Sequence, residues 1–294
     1  MKVSIQMLAC TIIGLMLQVR SARSASLQNE LLGFAQTLYQ EQDYYRAISE
    51  FKRFLFLYPK DARAPAATFS IGYSYLKGEK WLAAQPYFEK LIHSYSSQKI
   101  GQEAKFSLGQ LYFLSKQYEY ALEEWAHHPF QYPALYQRAW VFFLQHKQDA
   151  ALEALDALKT SSYQPIGQAF SNEIKKWKEL PFKSPWLAGG LSAILPGAGQ
   201  WYTGHYWDGI SALAVNSAFA YGIYATIRHQ YYVAFGILTL VGSGFYGGNI
   251  FSAIASAHKF NRNVQETHQA NLIQKYGLTV DWTGSSLAIH WPMM

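Results

Sequence analysis

LPGAGQWYTGHYWDG, residues 195–209, decides how the rest of the chain is read. Four glycines, one proline and four aromatic residues share these fifteen positions. They cannot form the middle of an ordinary helix, because Pro196 lacks an amide donor and each glycine costs roughly 1 kcal/mol there. The stretch reads as a loop or re-entrant turn. The rings of Trp201, Tyr202, Tyr206 and Trp207 suit the headgroup level of a bilayer. Asp208, the only acid between Trp186 and Ala257, belongs at the water boundary. About 180 residues of soluble helical pattern precede this hinge, and two long apolar runs follow it.

The first run, 209–227, and the second, 231–257, carry no formal charge and are separated by Arg228-His229-Gln230. Each is long enough to cross about 30 Å of hydrocarbon. They predict two antiparallel spanning helices joined by a tight polar turn; a soluble core hairpin is the alternative. Residues 186–195 are apolar but too few to span. Small residues recur at every fourth position, Gly244, Gly248, Ser252 and Ser256 on one helix and Ala212, Asn216 and Ala220 on the other. Such stripes let helix backbones approach in lipid, which predicts a tight bundle or a homo-oligomer. Asn216 and Asn249 are the buried polar candidates, either as interhelical hydrogen-bond partners or as the lining of a polar path. The segment Pro196, Gly197, Gly199, Gln200, Tyr202, Gly204 and Gly209, with Asp208 beside it, resembles the PGxGQxYxGxxxxG signature of small bacterial helical membrane domains. That resemblance covers about 70 residues. It implies architecture and no assigned chemistry.

Between residues 27 and 158 a register of 37 residues aligns five columns. They are Ala35, Gly72 and Gly109; Leu38, Tyr75 and Tyr112; Tyr44, Trp81 and Tyr118; Ala47, Ala84 and Ala121; and Phe51, Phe88 and Trp125. The physical logic is that of a helical hairpin. A small residue on the first helix admits the second, and an alanine and an aromatic four apart line the inner face of the second. Tyr58-Pro59 and Tyr132-Pro133 read as closures of the first and third units. A degenerate fourth copy follows with Ala139, Phe142, Ala151, Leu155 and Leu158, 30 residues on in the alanine column. These columns resemble the tetratricopeptide repeat, with three extra residues per unit. In length the unit is also similar to repeats of periplasmic envelope-assembly proteins, such as the lipoprotein of the barrel assembly machine and the periplasmic coordinator of the Tol-Pal system. The resemblance implies a superhelical stack with a groove for a protein or peptide partner. The columns themselves are core, so the partner surface lies between them.

The flanks complete an all-α chain: an export signal (1–26), a repeat domain (27–160), a linker with a capping helix (161–185), a helical membrane domain (186–260) and a tail (261–294). Lys2, the apolar stretch to Val19 and the small residues Ala22, Ser24 and Ser26 suit a cleavable signal. A lipoprotein signal ending at Cys10 and an uncleaved anchor held by Arg20 and Arg23 stand beside that reading. Cys10 is the only cysteine, so a processed chain has no disulfide and no thiolate chemistry. Phe170, Ile174 and Trp177 form a helical stripe among lysines, either a cap or a surface for anionic lipid. The tail predicts a polar helix to Tyr276, stopped by Gly277, and a short hairpin of 278–282 with 287–291. An isolated hairpin is marginal, so it needs something to pack on.

No catalytic constellation is present. His127 and His128 are adjacent rather than at metal-ligand spacing, no HExxH or GxSxG occurs, and the glycines of 242–248 lie in an apolar run. Glu123-Glu124 falls on a repeat helix. The net charge of +6 comes from scattered lysines and arginines, which leaves no footprint for nucleic acid. The reading is a non-enzymatic, cofactor-free interaction module of a bacterial cell envelope, anchored in lipid, its repeats periplasmic. The alternative is a small channel or transport accessory with a polar path through Gln200, Asp208 and the asparagines. Lys175, Lys176, Lys178 and Lys183 oppose the periplasmic placement, since the positive-inside rule keeps such residues in the cytoplasm.

Overall fold

The computed structural model describes residues 26–161 and 163–290. The export-signal reading therefore lies outside the described residues up to position 25, as does Trp291 of the expected second strand. Among the described residues the chain is all-α apart from one two-stranded sheet. It forms two compact units: the first ends at Ile174 and resumes at Tyr276, and the second is Lys175–Lys275.

In the first unit, α1 (26–40) pairs with α2 (Tyr44–Leu57), α3 (Ala64–Lys77) with α4 (Trp81–Tyr95), α5 (Lys99–Leu114) with α6 (Tyr118–Trp125), and α7 (Gln131–Leu144) with α8 (Gln148–Asp156). Each first helix ends in the same way. Gln42, Glu79, Lys116 and His146 adopt positive φ of 57–63°. The next amide reaches back five residues, from Asp43 to Leu38 O, Lys80 to Tyr75 O, Gln117 to Tyr112 O and Lys147 to Phe142 O. This paired-hydrogen-bond stop satisfies carbonyls that the helix end leaves orphaned. Its acceptors are the Leu38, Tyr75 and Tyr112 column, with Phe142 in the fourth copy, so the sequence register is also a backbone register.

The columns meet inside each hairpin. Ala35, Ala47, Phe51, Ala84, Phe88, Ala121 and Trp125 are all buried. A Cβ on Gly109 would lie 2.4 Å from the Trp125 indole, and one on Gly72 would lie 3.2 Å from Phe88. The larger ring of the third copy is the one that demands a bare backbone opposite it. Tyr75 and Tyr112 are only partly covered.

One expected closure is elsewhere. Pro133 lies in the first turn of α7, where a missing amide is tolerated, and opens the fourth hairpin. The third hairpin breaks earlier, at an extended Ala126 and a His127 with φ +52°, and Pro129 then disfavours a return to helix at His128. That shortens α6 to 8 residues, against 15 in α4, and accounts for the 30-residue spacing of the last copy. The repeats end on α9 (Gln164–Lys175), whose Phe170 stacks on Trp140 at 4.2 Å. Phe170 and Ile174 are buried, so that stripe is a cap and not a lipid-facing surface.

The second unit starts with a 3-10 turn, Lys176–Glu179, then α10 (Pro185–Ile194), α11 (Ala198–Tyr202), α12 (Tyr206–Arg228) and α13 (Tyr232–Tyr276). The signature stretch is thus a turn, one short helix and a second turn. Ser184 caps α10 by accepting from Leu187 N, with Pro185 at the first helical position. At 23 residues α12 is about 34 Å long. The 45-residue α13 runs unbroken through position 260.

After Tyr276 the chain rejoins the first unit as an antiparallel hairpin, β1 (Thr279–Trp282) and β2 (Leu287–His290), pairing Val280 with Ile289 and Asp281 with Ala288.

Candidate functional site

In the first unit the hairpin lies against the first helices of the repeats. From α3, the Tyr73 hydroxyl donates to Val280 O at 2.5 Å, and Lys77 Nζ stands 2.6 Å from Asp281 Oδ1 and 3.3 Å from Val280 O. Trp282 Nε1 donates to Ser70 Oγ at 2.7 Å, and its ring lies 4.1 Å from that of Phe69. From α5, Glu103 Oε1 accepts the Leu287 amide at 3.0 Å. From α7, the Tyr136 hydroxyl donates to Tyr276 O at 2.6 Å. Val280 joins the cluster of Phe106, Trp125 and Val141, while Trp282 joins that of Phe69 and Phe88. Burial pushes the Tyr73 phenol and the Glu103 carboxyl up, the latter opposed by the Leu287 amide and Lys99. The face formed by these first helices is therefore filled by the chain's own hairpin. Nothing local in the sequence marks Phe69, Ser70, Tyr73, Lys77 or Glu103 for this role; the only hint is a tryptophan in a tail that has no core of its own.

In the second unit the signature builds a closed amide cluster. Gln200, 1% exposed, accepts from Ser192 Oγ at 2.9 Å and donates Nε2 to Asn249 O and Oδ1 at 3.1 and 3.2 Å. Asn249 returns Nδ2 to Ser192 O at 3.0 Å and accepts the Gly197 amide at 3.2 Å. Ser192 Oγ accepts the Gly199 amide. Three segments, α10, α11 and α13, are held by groups that all have partners. The glycines permit this closeness. Gly197 has φ +93°, and a Cβ on it would lie 2.1 Å from Gly209 O; one on Gly199 would lie 2.0 Å from Ala188 O. Tyr202 accepts the Ser184 amide through its hydroxyl, and Lys183 Nζ sits 4.7 Å above its ring. Gly204 makes the positive-φ turn into α12. Ser192, which sits in an apolar run, was not legible as a member.

A cavity of about 500 Å³ opens beside this cluster. It gathers Gln200, Asp208, Asn216, Gly244, Gly248, Asn249 and Ser252. Two expectations change here. Asn216 donates to Ala212 O of its own helix at 2.8 Å, so it is not the interhelical partner of Asn249. A Cβ on Gly244 or Gly248 would meet nothing within 4 Å, so these glycines line open space instead of a helix contact within the chain. The stripe's last residue, Ser256, is buried. The contacts between α12 and α13 lie elsewhere, with Phe219 stacked on Phe245 at 4.9 Å and pressed against Gly242.

His128 is the one strongly shifted histidine among the described residues. Its Nδ1 accepts the Phe130 amide at 3.0 Å, so the proton is on Nε2, which donates to Gln102 O at 3.0 Å. Burial lowers its pKa from 6.5 to about 4. Among the described residues no three His, Cys, Asp or Glu side chains gather to hold a metal.

No protein-family model and no curated protein matches the chain. Solved structures similar to it are helical-repeat proteins. One is a variant of a kinesin light chain protein from Podospora anserina with nearly identical TPR-like repeats, 14% identical over 51% of this chain and 83% of that one, TM-score 0.40. Another is a tetratricopeptide repeat protein from Parabacteroides merdae, 15% identical over 83% of this chain and 99% of that one, TM-score 0.42. The helical-hairpin architecture described above rests on this chain's own packing.

Proposed function

We propose that the chain is a non-catalytic scaffold of a bacterial cell envelope, in which the second unit sits in lipid and the repeats bind a protein partner. The observation that carries the membrane half is an inverted distribution of polarity. Trp186, Trp207, Val233 and Leu240 are 86, 80, 82 and 76% exposed, while Gln200, Ser192, Thr203 and Asn249 are buried. Water penalises the exposed apolar side chains, whereas a bilayer accepts them and also requires what the buried cluster shows, polar groups whose partners lie inside the protein. Both α12 and α13 are long and apolar enough to cross a membrane. The repeats support the binding half through their helical-hairpin architecture.

The test is flotation of membranes from expressing cells followed by alkaline carbonate extraction. The chain is expected to stay with the lipid; its release into the supernatant would overturn the anchoring. Protease access to the repeats in intact, outer-membrane-permeabilised and lysed cells then decides between a periplasmic and a cytoplasmic face.

The second reading, a transport accessory with a polar path, is favoured by the cavity that brings Asp208, Asn216 and Asn249 together. A change in liposome permeability on Asn216→Leu, with the fold intact, supports it over the scaffold.

A further inference from the structure

The hairpin is held as a ligand is held. Two of its backbone groups, Val280 O and Leu287 N, are read by the Tyr73 hydroxyl and the Glu103 carboxylate, and two adjacent side chains, Asp281 and Trp282, by Lys77 and by Ser70 with Phe69. Backbone contacts together with pockets for alternate side chains, here Val280 and Trp282, are how a surface recognises an extended peptide. The fit is also incomplete. Gln36 Nε2 is buried without a hydrogen-bond partner among the described residues where the Gly284 turn passes over its amide, and Ser107 Oγ, one helical turn beyond Glu103, is buried without one too. Each unpaired group is a cost that a strand offering an acceptor there would remove. The hairpin's hold comes from the face it packs on and not from its own two-strand pairing, so a strand offering the same contacts competes for it.

We propose that this face is a strand-binding surface and that the C-terminal hairpin holds it in place of a partner strand carrying a hydrophobic residue, an acid and a tryptophan in succession. The inference rests on the reading of the repeats as a partner-binding scaffold and names the chemistry of that partner. Its selectivity comes from Lys77 for the acid and from the Phe69–Ser70 pocket for an indole with its N–H.

The experiment uses the full chain in detergent micelles and a fluorescein-labelled peptide of residues 277–290, followed by anisotropy. Wild-type chain is expected to bind it weakly, because its own hairpin competes at high effective concentration. Asp281→Lys sets like charges against Lys77 and weakens the cis hairpin's hold, opening it more often, so the native peptide should bind several-fold tighter. Lys77→Glu opens it as well, and should take a peptide carrying the Asp281→Lys change while rejecting the native one. Circular dichroism establishes that both variants keep their helices. The proposal is overturned if neither variant binds either peptide, or if Lys77→Glu does not reverse the preference. It also falls if the β1 amides exchange hydrogen only with global unfolding, which makes the hairpin a permanent strap. Two full chains that exchange tails at the same affinity would make the second copy the occupant and overturn the partner assignment. Failure of carbonate-resistant anchoring bears on the membrane reading alone and leaves this result standing.

Discussion

The indole of Trp282 lies 4.1 Å from the ring of Phe69 and gives its N–H to Ser70, a residue 212 positions earlier in the chain. This contact draws the tail into the repeat core, with Trp282 only 3% exposed. Trp282→Ala is expected to destabilise the first unit by about 3–5 kcal/mol, and Ser70→Ala by about 1 kcal/mol, the indole N–H being left without its acceptor. Denaturant unfolding of the full chain in micelles, followed through repeat helicity, measures both.

Protonation of His128 opposes folding. Its pKa is about 4 when folded, against 6.5 as the ordinary value. The contribution is present above pH 6.5 and is lost as pH falls from there towards 4, because the unfolded chain takes up the proton first. A displacement of that size corresponds to about 3 kcal/mol. Unfolding midpoints between pH 7 and pH 4 should fall accordingly, and His128→Gln should flatten the slope across this window.

The signature glycines and the stripe glycines should part company. Gly197→Ala places a methyl 2.1 Å from Gly209 O, which requires backbone movement, and is expected to cost more than about 4 kcal/mol or to prevent assembly of the second unit. Gly244→Ala and Gly248→Ala meet nothing within 4 Å and gain about 1 kcal/mol each of helix propensity. Thermal aggregation in detergent ranks them. If the two stripe variants instead dissociate an oligomer, the open stripe is a contact with a second copy.

The asparagines divide in the same way. Asn249→Leu strips partners from the Gly197 amide and from Gln200, and should cost about 3 kcal/mol or more. Asn216→Leu removes one bond within its own helix and should be close to neutral. The pair is compared by unfolding in one micelle system.

At the helix stops, Glu79 and Lys116 hold positive φ without being glycine. Glu79→Gly removes a left-handed penalty and should stabilise the repeats by about 0.5–1 kcal/mol, less the added freedom of the unfolded chain. Glu79→Val should destabilise them, and equilibrium unfolding gives the sign of each.

Periodic and local features were legible in advance. The columns through Gly72 and Gly109, Ala84 and Ala121, and Phe88 and Trp125 are dictated by packing between helices adjacent in sequence, so spacing alone reveals them. The uncharged runs after Gly209, the helix ending at Tyr276 and the hairpin about Gly284 also follow from composition and local turn chemistry. Pro133 reads either way in the sequence, because a proline serves both the end of one helix and the first turn of the next, and only the course of the backbone distinguishes them.

The amino-acid order therefore carries the inventory of elements: three helical hairpins and a degenerate fourth, a cap, a glycine-hinged pair of long helices and a terminal pair of strands. Tertiary structure alone decided what each leftover group meets. It seated Trp282 on Phe69, set Asp281 against Lys77, drew Gln200 to Ser192 and Asn249, and turned Gly244 and Gly248 towards open space. The physical reason is range. A helix or a turn is selected by neighbours within a few residues, whereas a hydrogen bond between positions 70 and 282 exists only once the intervening chain has folded, and no periodicity in either segment encodes its partner.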